Sequence, residues 1–572
     1  MFESLRKYKH DFLISAALAV TTFLVYLFSL CPTVYLIDSG ELAAVSYTLG
    51  IAHPTGYPLY TLISYFFAHI PGEPIKNLNL LSALFSVTAV VFLYLTAKQI
   101  LKNSLISIIC ASIFAFSPTI WRTSVTNEVY PLTGLFVVII IYAFYKLHSQ
   151  RSFYILMYLI GLSLTNHMVI FSVALPIFLY IVVCRRPSIR IIITGVLFSI
   201  LGVSLYLYLI TRTIGCAEFA WGNIYNLQRL YWHVTGKQYQ VWMFSCSINE
   251  VFSNLSNGLK ILLRDFLFVF TIPVFFGFYY LFKSDKKKFW LFLSVFLLSL
   301  LYTINYSIPD VESYYIPGLI SLIFVFAYGL KLISRNLKWF TVLSIAFIIP
   351  VINYRSCTLR NNTFGLDFGR VYIEQLPRFS LLMGNYWDIY SPLIYLTKVK
   401  GIRPDLIIID KELLRRTWYI KYLEKEYPQF YQKSAIEIED YLVELNKFEY
   451  DKPYNPNVIQ AKFINMLKSF VDVNIDQGVY FAMVFPDQDL KQVRPEYYRI
   501  VNGLVFKIQS DTIYAEFDYS KLDIKRPRII NDERLSINID IVKRMLNYNV
   551  VYLNLIKKTK EAEQAKAWLK NF

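Results

Sequence analysis

Residues 37–42 have the sequence IDSGEL and residues 50–60 have the sequence GIAHPTGYPLY, and this connection after the first apolar segment decides the fold. Asp38 and Glu41 have the spacing of a capping box, which predicts a short helix that starts here. Pro58 suits the first position of a second helix, because its missing N–H has no helical partner there. The sequence therefore predicts two short helices joined by a turn.

The apolar run over residues 58–70 determines the topology. Thirteen helical residues cover about 20 Å, which is short of a hydrocarbon core of ~30 Å. If this run does not span, 17 Lys and Arg residues of the loops fall on one side of the membrane and five on the other. The positive-inside rule then predicts that the run lies flat on the membrane, with a cytoplasmic amino terminus and long loops outside.

The composition is that of a multi-pass membrane protein with an added soluble domain. The 572 residues are 56% hydrophobic and 17% charged, and the mean hydropathy is +0.43. Residues 355–572 contain 33 of the 57 Lys and Arg residues and 28 of the 40 Asp and Glu residues. We therefore predict a membrane domain over 1–354 and an extracytoplasmic soluble domain over 355–572, and exclude an ordinary soluble enzyme or a disordered chain.

The net charge of +17 indicates membrane topology and no nucleic-acid partner, because most of the excess lies between apolar runs. Eleven segments are long and apolar enough to be predicted as spans. They are residues 12–30, 78–97, 104–118, 131–145, 152–165, 167–184, 191–211, 260–282, 289–306, 315–334 and 339–354.

Acidic residues collect on the predicted outer side. They are Asp38, Glu41, Glu73, Glu128, Glu218, Glu250, Asp310 and Glu312. Since acidic residues contribute little to topology, this placement indicates a polar cavity that opens outward.

The soluble part has the pattern of an α/β domain. Residues 378–384 and 405–410 are predicted as buried strands on either side of a helix at 389–399. A third strand is predicted at 478–485, and a hairpin at 497–508. Four helices are predicted at 434–447, 457–470, 536–549 and 550–571.

Asp38 and Glu41 have two interpretations that are compatible with each other. The plainer one is that they only cap a helix. The functional one is that a carboxylate at a helix start on the membrane surface is kept ionised, and can take a proton from an acceptor hydroxyl or hold a divalent cation.

The same segment resembles the signature of the domain-of-unknown-function 2723 family, which includes the transmembrane-protein-260 type O-mannosyltransferases. Thr55 stands where that family has a second proline, which alters only the turn. The resemblance covers residues 32 to about 428 and continues in short motifs: NEVY at 127–130, TNH at 165–167, TR at 211–212, WGN at 221–223, HVTGKQY at 233–239, DVE at 310–312, YIP at 315–317 and GIRPDL at 401–406.

This resemblance implies a GT-C type glycosyltransferase, an integral membrane enzyme with about eleven transmembrane helices and juxtamembrane helices in the first outer loop. It implies inverting transfer of a sugar, mannose first, from a polyprenyl-phosphate donor to a hydroxyl such as Ser or Thr of an exported protein. A bacterial-type inner membrane is the expected location.

Within that scheme Asp38 is the catalytic base, and Glu41 supports it or contacts the acceptor. Arg212, together with His53 or His167, neutralises the phosphate of the donor, since an arginine fork suits a phosphate. The pattern requires no particular cofactor. If one is bound, the carboxylates would suit a divalent cation.

Seven further residues are candidates for binding the acceptor or lining the cavity: Glu128, Tyr57, Asn166, Trp221, His233, Asp310 and Glu312. Each also has a plainer interpretation, such as a first-turn acid for Glu128, a polar turn for Asn166 and the aromatic belt for Trp221.

Other functions stay open at this point. One is the same chemistry on a lipid-linked glycan or a cell-surface polysaccharide, and another is a membrane transporter. Transporters carry charges or broken helices at the midplane, whereas the acids here lie at predicted outer ends. A non-catalytic membrane scaffold for the soluble domain is the third.

Overall fold

The computed structural model describes residues 2–308, 311–333, 338–530 and 532–572. In chain order the helices are α1 (Phe2–Ser29), α2 (Ser39–Thr48), α3 (Pro58–Ala68), α4 (Pro74–Leu101), α5 (Ser104–Phe116), α6 (Pro118–Ser124), α7 (Tyr130–Tyr145), α8 (Gln150–Leu164), α9 (Phe171–Arg185), α10 (Ile189–Val203), α11 (Leu207–Ile214), α12 (Leu227–Val234), α13 (Ile248–Asp265), α14 (Thr271–Ser284), α15 (Lys286–Ile304), α16 (Ile316–Ile333), α17 (Trp339–Cys357), α18 (Phe364–Ile373), α19 (Trp387–Lys398), α20 (Thr417–Glu426), α21 (Pro428–Lys433), α22 (Ala435–Glu449), α23 (Pro456–Asp472), α24 (Asp487–Val493), α25 (Glu533–Leu555) and α26 (Thr559–Asn571). The strands are β1 (Leu381–Gly384), β2 (Ile407–Asp410), β3 (Val479–Ala482), β4 (Tyr498–Asn502) and β5 (Val505–Gln509).

The chain divides into two compact units. The membrane unit consists of Met1–Cys31, Ile51–Ala217 and Ile224–Arg360, and the α/β unit consists of Pro32–Gly50, Glu218–Asn223 and Asn361–Phe572. The main division therefore falls six residues after the predicted boundary at 354. Two segments that the sequence places in the membrane domain are parts of the α/β unit instead, because their contacts are with its helices.

The membrane unit is helical throughout its apolar segments. Among the described residues, seven segments are long and apolar enough to cross a membrane, and an eighth forms if α5 and α6, which meet at 58°, are one broken span. The seven are Lys9–Ser29, Pro74–Leu101, Met168–Arg185, Ile189–Ile214, Lys286–Ile304, Val311–Ile333 and Trp339–Cys357. This chain is therefore an integral, multi-pass membrane protein.

Besides the broken pair α5 and α6, three of the eleven predicted spans are not among these seven. Helices α7 and α8 have 16 and 15 residues. The predicted span 260–282 is broken between α13 and α14, where Leu267 and Phe268 have left-handed backbone angles, with φ of 48° and 57°. A continuous helix cannot pass through two such residues.

Glycines allow helices of the membrane unit to pack backbone against backbone. A Cβ atom at Gly329 of α16 would lie 1.7 Å from the carbonyl oxygen of Pro273 in α14, and one at Gly277 would lie 2.0 Å from that of Val325. Small residues at such crossings are how helices associate in lipid, where no hydrophobic force brings them together.

The α/β unit contains a five-stranded sheet in the order β2-β1-β3-β5-β4. Strand β1 is parallel to β2 and β3, and β5 is antiparallel to β3 and β4. The predicted strands, the helix between the first two and the hairpin are confirmed. The predicted break between residues 549 and 550 is wrong, because α25 continues to Leu555.

Candidate functional site

The start of α2 is held by residues near the start of α19 within the α/β unit. The indole Nε1–H of Trp387 donates to Oδ1 of Asp38 over 2.7 Å, and the amide of Glu41 donates to the hydroxyl of Ser391 over 3.1 Å. A Cβ atom at Gly40 would lie 2.1 Å from the carbonyl oxygen of Ser391. Only glycine therefore permits this approach of α2 to α19.

The predicted capping box is wrong. Asp38 does precede α2, but its side chain makes no capping hydrogen bond, because the carboxylate is directed to Trp387 instead. Glu41 is fully buried in the first turn. One carboxylate oxygen of each of these two residues lies within 4.8 Å of the other.

The residue before Asp38 is held in an unusual conformation. Ile37 has φ of 60°, a left-handed angle that is rare for a β-branched residue. Its amide donates to Oδ1 of Asp388 over 2.9 Å. The neighbours Trp387 and Asp388 thus bind the side chain of Asp38 and the backbone next to it.

Asp388 is itself fixed by α25. Its side chain is fully buried and accepts from Nε of Arg534 at 2.8 and 2.9 Å and from Nδ2 of Asn538 at 2.7 Å. A buried carboxylate needs such partners, because an unpaired charge in the interior is strongly unfavourable.

Trp221 lies in an aromatic cluster of the α/β unit. Its ring stacks on that of Trp418 with centroids 4.5 Å apart, and meets the ring of Trp387 edge-on at 5.8 Å. Trp221 and Trp418 are both 4% exposed. The aromatic-belt interpretation of Trp221 is therefore wrong, since its contacts are buried tryptophans of the α/β unit.

Histidine and tyrosine side chains form a second cluster, inside the membrane unit. The hydroxyl of Tyr57 lies 2.9 Å from Nε2 of His53, and the ring of Tyr57 stacks on His167 at 6.0 Å. His167 also contacts the rings of Tyr130 and Tyr314, with centroids 5.3 and 5.1 Å away. The sequence motifs that contain His53, Tyr57 and His167 therefore meet in space.

A cavity of about 550 Å³ adjoins this cluster. Tyr57, His167 and Tyr314 line it on one side, and Phe244 and Leu301 are among its apolar walls. An apolar cavity with a few polar groups is the usual form of a site for a small amphipathic molecule.

His233 packs against the segment that contains His53. Its Nε2–H donates to the carbonyl oxygen of Ala52 over 3.1 Å, and the side chain is buried. Burial lowers the pKa of His233 to about 3, because desolvation disfavours the charged imidazolium. His233 is therefore a neutral hydrogen-bond donor at pH 7 and supplies no positive charge.

Asn166 and Glu128 lie at the starts and ends of neighbouring helices. Asn166 donates to the carbonyl oxygen of Val129 over 3.2 Å and to the hydroxyl of Thr133 over 2.8 Å. The amide of Glu128 donates to the hydroxyl of Ser82 over 3.3 Å. The contacts of Asn166 join the end of α8 to the start of α7.

Glu312 belongs to a separate ionic cluster of the membrane unit. Its carboxylate pairs with Arg264, lies 3.6 Å from Arg122, and accepts from the hydroxyl of Thr119 over 3.1 Å. Arg264 also pairs with the buried carboxylate of Asp265 at 3.1 Å. Two arginines therefore balance the charge of Glu312, and its role remains a prediction.

Two predicted residues remain. Arg212 is half-buried in the last turn of α11, and Asp310 lies outside the described residues.

Sequence reasoning missed Trp387, Asp388 and Arg534. The first two follow β1 directly, at the carboxyl edge of a parallel strand, where ligand sites commonly form. No comparable signal marks Arg534.

Residues 38–190 match the family model of the protein O-mannosyl-transferase TMEM260 N-terminal domain. The resemblance to TMEM260 proteins is confirmed. The chain is 23% identical to protein O-mannosyl-transferase tmem260 of Dictyostelium discoideum, over 86% of this chain and 66% of that protein. It is 25% identical to protein O-mannosyl-transferase TMEM260 of Mus musculus, over 68% of this chain and 61% of that protein. It thus spans less than two thirds of the length of these TMEM260 relatives.

The solved apo structure of ArnT from Cupriavidus metallidurans has a similar fold. The apo form aligns with a TM-score of 0.53 and 10% identity, over 88% of this chain and 99% of ArnT. The form bound to undecaprenyl phosphate has a TM-score of 0.44 and 10% identity, over 87% and 97% of the two chains. The apo likeness confirms the predicted GT-C-like fold.

Proposed function

We propose that this chain is a membrane glycosyltransferase that transfers a sugar, mannose first, from a polyprenyl-phosphate donor to a hydroxyl of Ser or Thr in an exported protein. The observation that carries the proposal is the placement of Asp38 at the start of α2, inside the segment that matches the TMEM260 domain. Its carboxylate serves the reaction and not the helix cap.

Asp38 acts as the general base. The acceptor oxygen attacks the anomeric carbon, the bond from that carbon to the phosphate oxygen breaks, and the acceptor proton passes to the Asp38 carboxylate. The polyprenyl phosphate leaves with the electron pair. The N-terminal end of α2 favours the ionised carboxylate that this step needs.

The membrane unit supplies the donor site in this proposal. The cavity beside His167 and Tyr57 has apolar walls that suit isoprenoid units. Arg212, with His53 or His167, balances the charge that builds on the leaving phosphate, which is the step that most needs electrostatic help. His233 holds the His53 segment through the Ala52 carbonyl and contributes no charge.

A divalent cation fits the same carboxylates. Hard cations take carboxylate oxygens, and Asp38 and Glu41 have oxygens within 4.8 Å of each other. Asp38 and Glu41 would hold such an ion, and it would supply positive charge for the departing phosphate. Transfer measured with and without EDTA, followed by Mg²⁺ or Mn²⁺ addition, tests this assignment.

The function is tested by sugar transfer from a polyprenyl-phosphate mannose to a Ser/Thr peptide with purified enzyme. Asp38→Asn is expected to lower turnover by roughly 10²-fold or more, the usual scale for loss of a general base, without a change in melting temperature. Asp285→Asn is the matched control, because Asp285 caps α15 by accepting from the amide of Lys288 and asparagine caps equally well. Near-normal transfer by Asp38→Asn would contradict the proposal.

The acceptor and the side of the membrane need their own measurements. Mass spectrometry of exported glycopeptides and glycans, with and without the gene, separates a protein acceptor from a glycan acceptor. Cysteine labelling is expected to place Lys286 inside and Asp405 outside. An inside Asp405 would contradict transfer on the outer face.

A further inference from the structure

We propose that Trp387 and Asp388 are positioning residues, which set the side chain and the backbone of Asp38 for proton transfer without contacting either substrate. The inference rests on the proposed function of Asp38 as the base. It gives two residues of the α/β unit that lie outside the match over residues 38–190 a part in catalysis that they exert through Asp38.

Trp387 fixes the side chain of Asp38. The indole N–H of Trp387 donates to Oδ1 of Asp38 over 2.7 Å, which is in the range of a charge-assisted N–H···O⁻ bond. Such a donor selects one rotamer of the carboxylate and favours its charged form. A base held in one orientation needs no reorganisation when the acceptor arrives.

Asp388 fixes the backbone next to Asp38. Ile37 has φ of 60°, and the surrounding structure must over-determine such a conformation for it to persist. Asp388 does this by accepting the amide of Ile37 at 2.9 Å. If Ile37 relaxed to an ordinary angle, Asp38 would leave its place beside Trp387.

Trp387 and Asp388 are themselves held by other residues of the α/β unit. Asp388 is anchored to α25 by Arg534 and Asn538, and Trp387 is bordered by the edge of Trp221. Trp387 and Asp388 are neighbours in the first turn of α19, and they therefore hold two adjacent residues, Asp38 and Ile37. This is how a site achieves a precision that a loop alone does not give.

The test is a double-mutant cycle on the full-length enzyme, in the transfer assay described above. Trp387→Phe keeps an aromatic ring and removes the N–H, and it is expected to lower kcat roughly tenfold with little change in KM, the scale of a hydrogen bond to a charged group. In the Asp38→Asn background the same change should have no further effect.

Two variants make the result specific. Trp418→Phe removes the same atoms, but the Trp418 N–H is buried with no hydrogen-bond partner, so kcat should stay within about twofold of wild type because no bond to a charged group is lost. Trp387→His restores a ring N–H and should recover part of the lost rate.

Each outcome of these measurements either supports or overturns the positioning role of Trp387. If Trp387→Phe behaves like Trp418→Phe, or lowers kcat equally with and without Asp38, the positioning role is wrong while the base assignment stands. If Asp38→Asn transfers sugar normally, the base assignment itself fails. Loss of folding in Trp387→Phe, seen as an early melting transition, together with failure of Trp387→His to recover rate, would overturn the inference in favour of a purely structural tryptophan.

Discussion

The two polar clusters of this protein are built by different means. In the membrane unit, His53 and Tyr57 are four residues apart and bond directly, and ring stacking brings in His167. In the α/β unit, Asp38 bonds to a residue 349 positions away. The first cluster is assembled by apolar packing around short local motifs, and the second by hydrogen bonds and a buried ion pair across the whole chain.

This difference has an energetic consequence. Buried charges are costly to leave unpaired, so the α/β cluster should fail abruptly when one member is removed. Aromatic packing is distributed over many contacts, so the membrane cluster should weaken by degrees.

The largest expected effect follows from breaking the ion pair of the α/β unit. Asp388→Ala leaves Arg534 without its carboxylate and should destabilise the α/β unit by about 3 kcal/mol, the scale for a buried pair that loses one partner. Thermal unfolding or limited proteolysis measures this. Asp540→Ala on α25, the helix that contains Arg534, is the control, because Asp540 is exposed and its nearest cation is Lys543 at 3.6 Å. Equal destabilisation by both variants would contradict the contrast.

A smaller effect is expected at Arg212 in the membrane unit. Arg212→Ala should raise the KM for the polyprenyl-phosphate donor roughly tenfold, and Arg212→Lys less, because lysine keeps the charge but not the fork. Donor titrations with both variants measure this. Normal donor use by both would show that another residue binds the phosphate.

His233 gives the membrane unit a sensitivity to acid. Its pKa in the folded protein is about 3, below the ordinary value of 6.5, so the unfolded chain takes up the proton first. The stability that this group contributes is present above pH 6.5 and is lost as pH falls toward 3. Between pH 6.5 and 5 the wild type should lose about 1–2 kcal/mol.

His233→Gln tests this, because glutamine keeps an N–H donor and does not titrate. Melting curves of both proteins between pH 5 and 7.5 should show a shallower pH dependence for the variant. Parallel curves would show that His233 is not the source.

The smallest expected effect is at Tyr57. Tyr57→Phe removes the hydroxyl that bonds to His53 but leaves the ring on His167, so about 1 kcal/mol is lost, seen as a several-fold rise in donor KM. Tyr279→Phe on exposed surface is the control and should be silent. A loss as large as that of Arg212→Ala would mean that the hydroxyl itself contacts the donor.

The sequence predicts the features that depend on neighbouring residues. The short helix α3 is predicted by its length and Pro58, and the β4–β5 hairpin by Asn502 and Gly503, since these signals are local. The parallel pairing of β1 and β2 follows from the βαβ pattern. The roles of Asp38 and Arg212 remain predictions that rest on the resemblance to TMEM260 proteins.

The features that were not predicted depend on distant residues. The capping pattern of Asp38 and Glu41 was misleading, because Trp387 competes for the carboxylate and nothing near Asp38 indicates this. Arg534 lies 146 residues from its partner Asp388. A pattern in one sequence records which residues suit a helix start, but not which remote side chain binds there.

The α/β unit forms late in synthesis, because its first and last segments lie far apart in the sequence. Its first segment, Pro32–Gly50, is synthesised long before its last, and Tyr35 bonds to Asp532, 497 residues later. At about 5–20 residues per second a ribosome needs roughly 25–100 s to cover that distance. Throughout that interval Asp38 lacks the support of Arg534, and for most of it Trp387 has not been made either. A chain that stops before residue 534 therefore does not fix its proposed base, and transfer activity should arise only after that residue has been made.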